Sequence, residues 1–428
     1  MAAVDIAVSM MRKPDPAVDA PAAETRNAPP SAVLPPLPTP CRVLIVAPQP
    51  LFRFTGTPIN VMMMCRALGE QGFEVHVATL PGGDDVVSPG LVLHRVPRLP
   101  GIKRIPIGFS LGKLAYDGLL AVSVLRLLRR GRYDVVHAIE EAAFYAVPLA
   151  RLFRLPALID LDSDLVLQLR EHGSWLARAL AAPAGRLRRI ALRQSTAALT
   201  VTGYISELVR SESPRTAVFE VTDVPIDGAT RLPHPARMAE YRTELGLADR
   251  RLVVYTGNCD RRQGLDELVR ALPEVLRRHP DAALLVVGGE PAEIEPLQKQ
   301  ADRLGVSAAV RLIGQRPPAT MPEYMGMAEV LVSPRREPYT TPLKIFSYMA
   351  SGRPIVATDL PTHSVVLDRD CAILVPPTAA GLAEGIGRAL DDPERAARLG
   401  RQAARVVEES YSYERFRSRL LAAYQAIL

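Results

Sequence analysis

The strongest constraint on this chain is a rhythm that runs, stops and starts again. Arg42-Val43-Leu44-Ile45-Val46-Ala47 is a short apolar run rich in β-branched residues, closed by Pro48. Such a run predicts a strand buried on both faces, as in a parallel sheet. A helical stretch follows from about Ile59 to Gly69, then a second strand at Glu74–Thr79. Further strands are predicted at Leu91–Val96, Asp134–Ala138, Ala157–Leu161, Ala197–Thr202 and Ala217–Val221. Between about Asp223 and Arg250 the rhythm breaks in a polar stretch carrying Pro225, Pro233 and Pro235. It resumes at Arg251–Thr256, Ala282–Val287, Val310–Ile313, Val330–Val332, Ile355–Ala357 and Ile373–Val375. Alternating strand and helix predicts a doubly wound α/β sheet. The interruption predicts two of them, and 428 residues suit two domains of roughly 200 each.

The expected boundaries are 41–228 and 229–410, with a last helix from Tyr413 inside 411–428. Residues 1–40 are rich in Pro and Ala, bury little, and are expected to form a disordered tail. No apolar run reaches the roughly 18 residues that span a bilayer, and the N-terminus lacks a signal-peptide pattern. Any membrane contact is therefore expected to be peripheral. Cys41, Cys65, Cys259 and Cys371 stand far apart without zinc-ligand spacing, which reads as reduced thiols in a cytoplasmic protein. The net charge of +6 is a mild excess and gives no reason to expect a nucleic-acid partner. Arginines do cluster, at Arg126, Arg129, Arg130 and Arg132, and at Arg186, Arg188, Arg189 and Arg193. These fit a solvated face and an anionic lipid surface, such as the inner face of the plasma membrane, equally well.

In open α/β sheets ligands bind beyond the carboxyl ends of the strands, so the loops there carry the chemistry. After the first strand, Thr55-Gly56-Thr57 leads into a helix whose N-terminus favours an anion. Tyr255-Thr256-Gly257-Asn258-Cys259-Asp260-Arg261-Arg262-Gln263-Gly264 pairs a glycine turn with two arginines, a plausible diphosphate loop. Gly288 and Gly289 close a strand where backbone can approach a ligand. Thr340-Thr341-Pro342-Leu343-Lys344 reads as a helix start with Thr341 as cap and Pro342 at the first position. A lysine in the first turn opposes the helix dipole, which points to a bound phosphate. For each of the first three loops a plain turn is an equal alternative. On the other half, Asp134-Val135-Val136-His137-Ala138-Ile139-Glu140-Glu141 ends one strand, and Asp160, Asp162 and Asp164 follow the next. These carboxylates fit either an acceptor hydroxyl or helix capping.

Taken in order and spacing, these loops resemble the family-four glycosyltransferases of the GT-B fold, also called group 1. The resemblance rests on Tyr255-Thr256-Gly257 through Gly264-Leu265-Asp266-Glu267-Leu268, on Leu284-Leu285-Val286-Val287-Gly288-Gly289, and on Met321-Pro322-Glu323-Tyr324. Its strongest part is Thr341-Pro342-Leu343-Lys344-Ile345-Phe346-Ser347-Tyr348-Met349-Ala350-Ser351-Gly352-Arg353-Pro354. It implies two Rossmann-like domains facing across a cleft, an acceptor domain first and a donor domain second, with the last helix returning to the first. It implies sugar transfer from a UDP- or GDP-linked donor with retention of configuration, no cofactor and no required metal. The acceptor would be a glycan or lipid-linked glycan in cell-surface polysaccharide or glycolipid synthesis.

The implied donor residues are Gly56, Thr57, Gly257, Asn258, Arg262 and Gln263, then Gly288, Gly289 and Thr340 to Lys344, with Ser347. Acceptor residues would be His137, Glu140, Glu141, Asp160 and Asp162, and the reacting groups would be served by Glu140, Lys344 and Arg262. Many relatives carry two glutamates eight positions apart where Tyr339 and Ser347 stand, and basic residues where Asn258 and Gln263 stand. These departures keep two alternatives open: a catalytically silent nucleotide-sugar-binding or assembly protein, and a nucleotide-sugar epimerase or hydrolase. A redox dinucleotide enzyme is disfavoured, because no strand is followed by G-x-G-x-x-G.

Overall fold

A computed structural model describes residues 41–51, 56–83, 90–102, 110–171, 174–226, 231–336 and 341–428. The expected N-terminal disorder, Thr55, Tyr339 and Thr340 lie outside these residues.

The first sheet is built from β1 (Arg42–Ala47), β2 (Glu74–Thr79), β3 (Leu91–Arg95), β4 (Val135–Ile139), β5 (Ala157–Leu161), β6 (Ala197–Thr200) and β7 (Ala217–Glu220). The strands are parallel, in the order β3-β2-β1-β4-β5-β6-β7. Val43 to Ala47 have no exposed surface, as a strand covered on both faces requires. The second sheet comprises β8 (Arg251–Thr256), β9 (Ala282–Val287), β10 (Val310–Leu312), β11 (Val330–Ser333), β12 (Ile355–Thr358) and β13 (Ile373–Val375). It is also parallel, in the order β10-β9-β8-β11-β12-β13. In each sheet the chain reverses its direction of travel at the first strand. β1 lies between β2 and β4, and β8 between β9 and β11. Those two gaps are the topological switch points where such sheets take ligands.

The chain forms two compact units. One runs to Thr222 and includes Glu414–Leu428; the other is Asp223–Tyr413. The division thus falls a few residues before the expected 228. The last helix, Tyr413–Gln425, buries Phe416, Leu420, Ala423 and Tyr424, one stripe at helical spacing. Tyr424 is wholly buried, with its ring edge-on to Phe73 at 5.7 Å.

Candidate functional site

At the switch point of the second sheet, β8 runs out through Thr256 into Gly257. Gly257 stands at φ 127° and Gly288, at the end of β9, at φ 123°, a region that residues with a Cβ rarely adopt. Space also excludes a side chain. A Cβ on Gly288 would lie 2.0 Å from the Gly257 carbonyl oxygen, and one on Gly257 would lie 2.8 Å from Lys344 Nζ. The two glycines therefore let two strand ends and a lysine share one small volume.

Lys344 opens the helix Lys344–Ala350. Its ammonium donates to the Tyr255 hydroxyl and, at 3.1 Å, to Gln263 Oε1. It also sits 3.8 Å from the centroid of the Tyr255 ring. The Tyr255 hydroxyl in turn donates to the Asn258 carbonyl at 2.5 Å. These partners are all neutral. Burial, and next the charge of Arg335, push the Lys344 ammonium well below the usual lysine range. Arg335 is itself buried. The charge of Asp260 acts on both and offsets part of the cost of desolvating two cations.

Arg262 and Gln263 lie in a short 3-10 turn, Arg261–Gln263, that Asp260 caps through the Arg262 N–H. The Arg262 guanidinium is turned onto Asp260, with Nη2 3.1 Å from Oδ2. Burial pushes the Asp260 carboxyl up, but its pairing with Arg262 holds it below the usual range. Gly289, at φ 83°, packs against Cys259. Ser347 is buried, and its hydroxyl has no hydrogen-bond partner among the described residues. Its neighbour Tyr348 accepts from the Thr256 N–H at 2.7 Å, which fixes the helix against the end of β8.

The expected helix start is corrected. Lys344, not Pro342, is the first helical residue, and Leu343 at φ −50° takes the cap position without a side-chain capping bond. Thr341 does not cap. Ile345 donates to the Pro342 carbonyl at 2.9 Å and Phe346 to Leu343 at 3.2 Å. These three-residue bonds wind a tighter turn ahead of the helix and displace the cap.

The switch point of the first sheet holds acids. Glu140 follows β4 at φ 50°, one of the two non-glycine residues described at positive φ. Backbone held in this region costs of order 1–3 kcal/mol and clusters at functional sites. Glu140 accepts from the Ser163 hydroxyl at 2.9 Å. Burial, then the charges of Asp162 and Glu141, raise its carboxyl well above the usual range. Glu140, Glu141, Phe144, Ser163 and Arg188 line a small pocket. Glu141 is paired with Lys113 at 2.6 Å.

Asp162 accepts from Asn60 Nδ2 at 3.3 Å and from the Thr57 side chain, while burial followed by Asp160 raises it to about 7. Thr57, expected at the donor phosphates, is thereby engaged with an acidic residue of its own unit. Gly56 is exposed at the start of the helix Gly56–Glu70. Asp164 is structural: it takes Arg188 Nη1 at 2.6 Å and the Val166 and Leu167 N–H groups. His137 and Asp160 lie in the core, 0% and 2% exposed, and not on a surface that an acceptor reaches. His137 Nδ1 is 2.8 Å from the Tyr424 hydroxyl, and Nε2 is 3.7 Å from Asp160 Oδ2. β4 and β5 are central strands, so residues one or two positions before their ends stay inside.

Tyr255, Arg335 and Ser163 were not among the expected site residues. A tyrosine two positions before a strand-end glycine, and a second arginine beside a predicted phosphate loop, were the available signals for the first two. Nothing local marks Ser163.

Residues 250–392 match the family Glycosyl transferases group 1, and residues 55–225 match the Glycosyl transferase 4-like domain. The chain is 28% identical to an alpha-D-kanosaminyltransferase of Streptomyces kanamyceticus over 78% of this chain and 88% of that one. A sucrose-phosphate synthase from Thermosynechococcus elongatus superposes with a TM-score of 0.72 at 22% identity, over 90% of this chain and 98% of that one. The Anabaena protein HepE, solved with UDP, superposes with a TM-score of 0.70 at 16% identity, over 90% of this chain and all of the other. The chain belongs to the group 1, family-four glycosyltransferases of the GT-B fold. It is a glycosyltransferase by class.

Proposed function

We propose that the chain transfers a sugar from a nucleoside-diphosphate sugar to an acceptor hydroxyl, with retention of configuration. The observation that carries this reading is the Lys344 ammonium, desolvated beside Arg335 and bonded to neutral oxygens at a strand-end glycine. A diphosphate would add negative charge to that of Asp260 beside these two cations. In transfer the sugar C–O(phosphate) bond breaks, and negative charge grows on the departing diphosphate. Fixed cations stabilise that charge most. Lys344 and Arg335 sit ready, and Arg262 adds a third charge once it leaves Asp260. Gly257, Gly288 and Gly289 leave room for the phosphates against backbone. Asn258, Gln263, Thr341 to Leu343 and the unpartnered Ser347 hydroxyl would hold the rest of the donor.

The acceptor would sit at the first sheet's switch point, with Glu140 orienting its hydroxyl beside Glu141 and Asp162. The new glycosidic bond forms on the face the phosphate leaves, and the hydroxyl proton passes to a phosphate oxygen. With that many cations in place, the proposed reaction needs no divalent metal. The donor would be a UDP- or GDP-linked sugar. The product would be a cell-surface polysaccharide or glycolipid made in the cytoplasm, where four buried unpaired cysteines stay reduced. Mass spectrometry of products from UDP- and GDP-sugars with cell-extract acceptors tests the reading. Sugar release without any glycosylated product would replace transfer by hydrolysis.

A further inference from the structure

Three helices of the first unit share an unusual surface. Helix Ala143–Leu152 packs against both Leu111–Arg130 and Trp175–Gln194. Seven of the eleven large hydrophobic residues that the described surface exposes lie on these three. Leu114 is 49% exposed, Val122 44%, Leu152 72% and Trp175 73%. Leu176, Leu187 and Ile190 complete the set. Trp175–Gln194 shows the pattern most clearly. It turns Ala177, Ala181, Ala184, Ala191 and Leu192 inward. At 100° per residue, its outward half divides in two. Leu176, Ala179, Pro183, Leu187 and Ile190 form one strip, and Arg178, Arg186, Arg189 and Arg193 form the strip beside it.

The charge on this face has one sign. Arg126, Arg129, Arg130 and Arg151 are exposed on the other two helices. The three helices carry a single acid, Asp117, which is tied to Lys113 at 2.5 Å. Folding explains none of this. Exposed leucine, isoleucine and tryptophan gain nothing in water, and a solvated helix normally mixes its charges. An apolar strip flanked by basic residues, on a helix too polar to cross a membrane, is the form of a segment lying in a bilayer interface.

We propose that the face formed by these three helices docks on an anionic phospholipid surface. Leu176, Leu187 and Ile190 enter the headgroup boundary, and the arginines pair with lipid phosphates. The proposal stands on this surface and not on the sugar-transfer reading.

The test is co-flotation of the full chain with vesicles of phosphatidylglycerol and phosphatidylcholine, beside calorimetry with UDP and GDP on the same preparations. Binding should require phosphatidylglycerol and weaken as salt rises. R186Q/R189Q/R193Q should lower affinity roughly fivefold per arginine removed. L176E/L187E/I190E should abolish flotation with an unchanged circular dichroism spectrum and unchanged nucleotide affinity. R401Q/R405Q, on the second unit, should float as wild type does. The proposal is overturned if a folded, nucleotide-binding wild type fails to float, or if the control pair loses as much as the helix variants. It is equally overturned if the wild type is a dimer by light scattering that L176E/L187E/I190E dissociates without affecting flotation. Lost nucleotide affinity with normal flotation would count against the donor site alone.

Discussion

Lys344 and Asp160 are both desolvated, and the sign of their effect on stability follows from which form burial disfavours. The Lys344 ammonium titrates below its unfolded value of roughly 10.4. Between its lowered value and that figure the native state binds fewer protons than the unfolded one. Its contribution therefore improves as pH rises through that window and is adverse below it. Lys344→Met keeps the apolar stem and removes the cation. We expect its ligand-free melting temperature at neutral pH to be no lower than wild type. Its affinity for a nucleoside diphosphate should fall by about 1.5–3 kcal/mol, the range for a charged hydrogen bond. Calorimetry and thermal scans check both, and unchanged affinity would remove Lys344 from the donor site. Asp160 is raised by burial to about 7, so its contribution declines as pH rises from roughly 4 to 7. Burial lowers His137 to about 3, so its contribution declines as pH falls below roughly 6.5. The two oppose each other in between. Asp160→Asn removes the group that favours acid, and its melting temperature should drop more than wild type's from pH 7 to 5. Parallel slopes would contradict the assigned shift.

The strands were the most legible elements. Each apolar run of the sequence became a strand within one or two residues of its expected ends, most cleanly in central strands such as β1, β4 and β9, where burial on both faces leaves little room for polar interruption. Helix starts were harder, as the displaced turn at Thr341–Leu343 shows: Thr-Pro is a capping pattern, but carbonyl bonds from Pro342 and Leu343 took its place. The last helix was legible as a helix. Its burial against β4 and Phe73 rests on Tyr424, whose hydroxyl is the partner of His137 Nδ1. Tyr424→Phe should cost about 1–3 kcal/mol, because it strands a buried nitrogen. Tyr424→Ala should cost about 3–5 kcal/mol, since it also opens a cavity. Urea midpoints measure both. A Phe variant as stable as wild type would mean that the hydroxyl contributes nothing at that site.

At the scale of the whole molecule, sugar transfer asks that the charge on a departing diphosphate be met by side chains or by a bound metal. Lys344, Arg335 and Arg262 supply three cations around one loop. We expect turnover to survive exhaustive chelation and to gain less than about twofold from added Mg²⁺ or Mn²⁺. Activity lost to a chelator and restored by either ion would reverse the mechanism. Arg262→Gln should lower turnover more than it lowers affinity for the nucleoside diphosphate product, because the charge it meets is largest as the bond breaks. Equal losses in both would make it a binding group only.

The sequence by itself determined the two sheets, their parallel strands, the switch-point loops and the lysine that opens the helix after β11. These depend on local apolar pattern and on glycine, which short stretches of chain record. Only the tertiary structure decided the partners. Lys344 meets Tyr255 across 89 positions, and His137 meets Tyr424 across 287. The fold also took His137 and Asp160 away from the surface where their polarity suggested they belonged. It left Leu187 and Ile190 outside, although their type suggested a core. Periodicity reports how often a residue faces inward along its own element. Which groups it meets there depends on strand order, and strand order is set by packing across the whole unit.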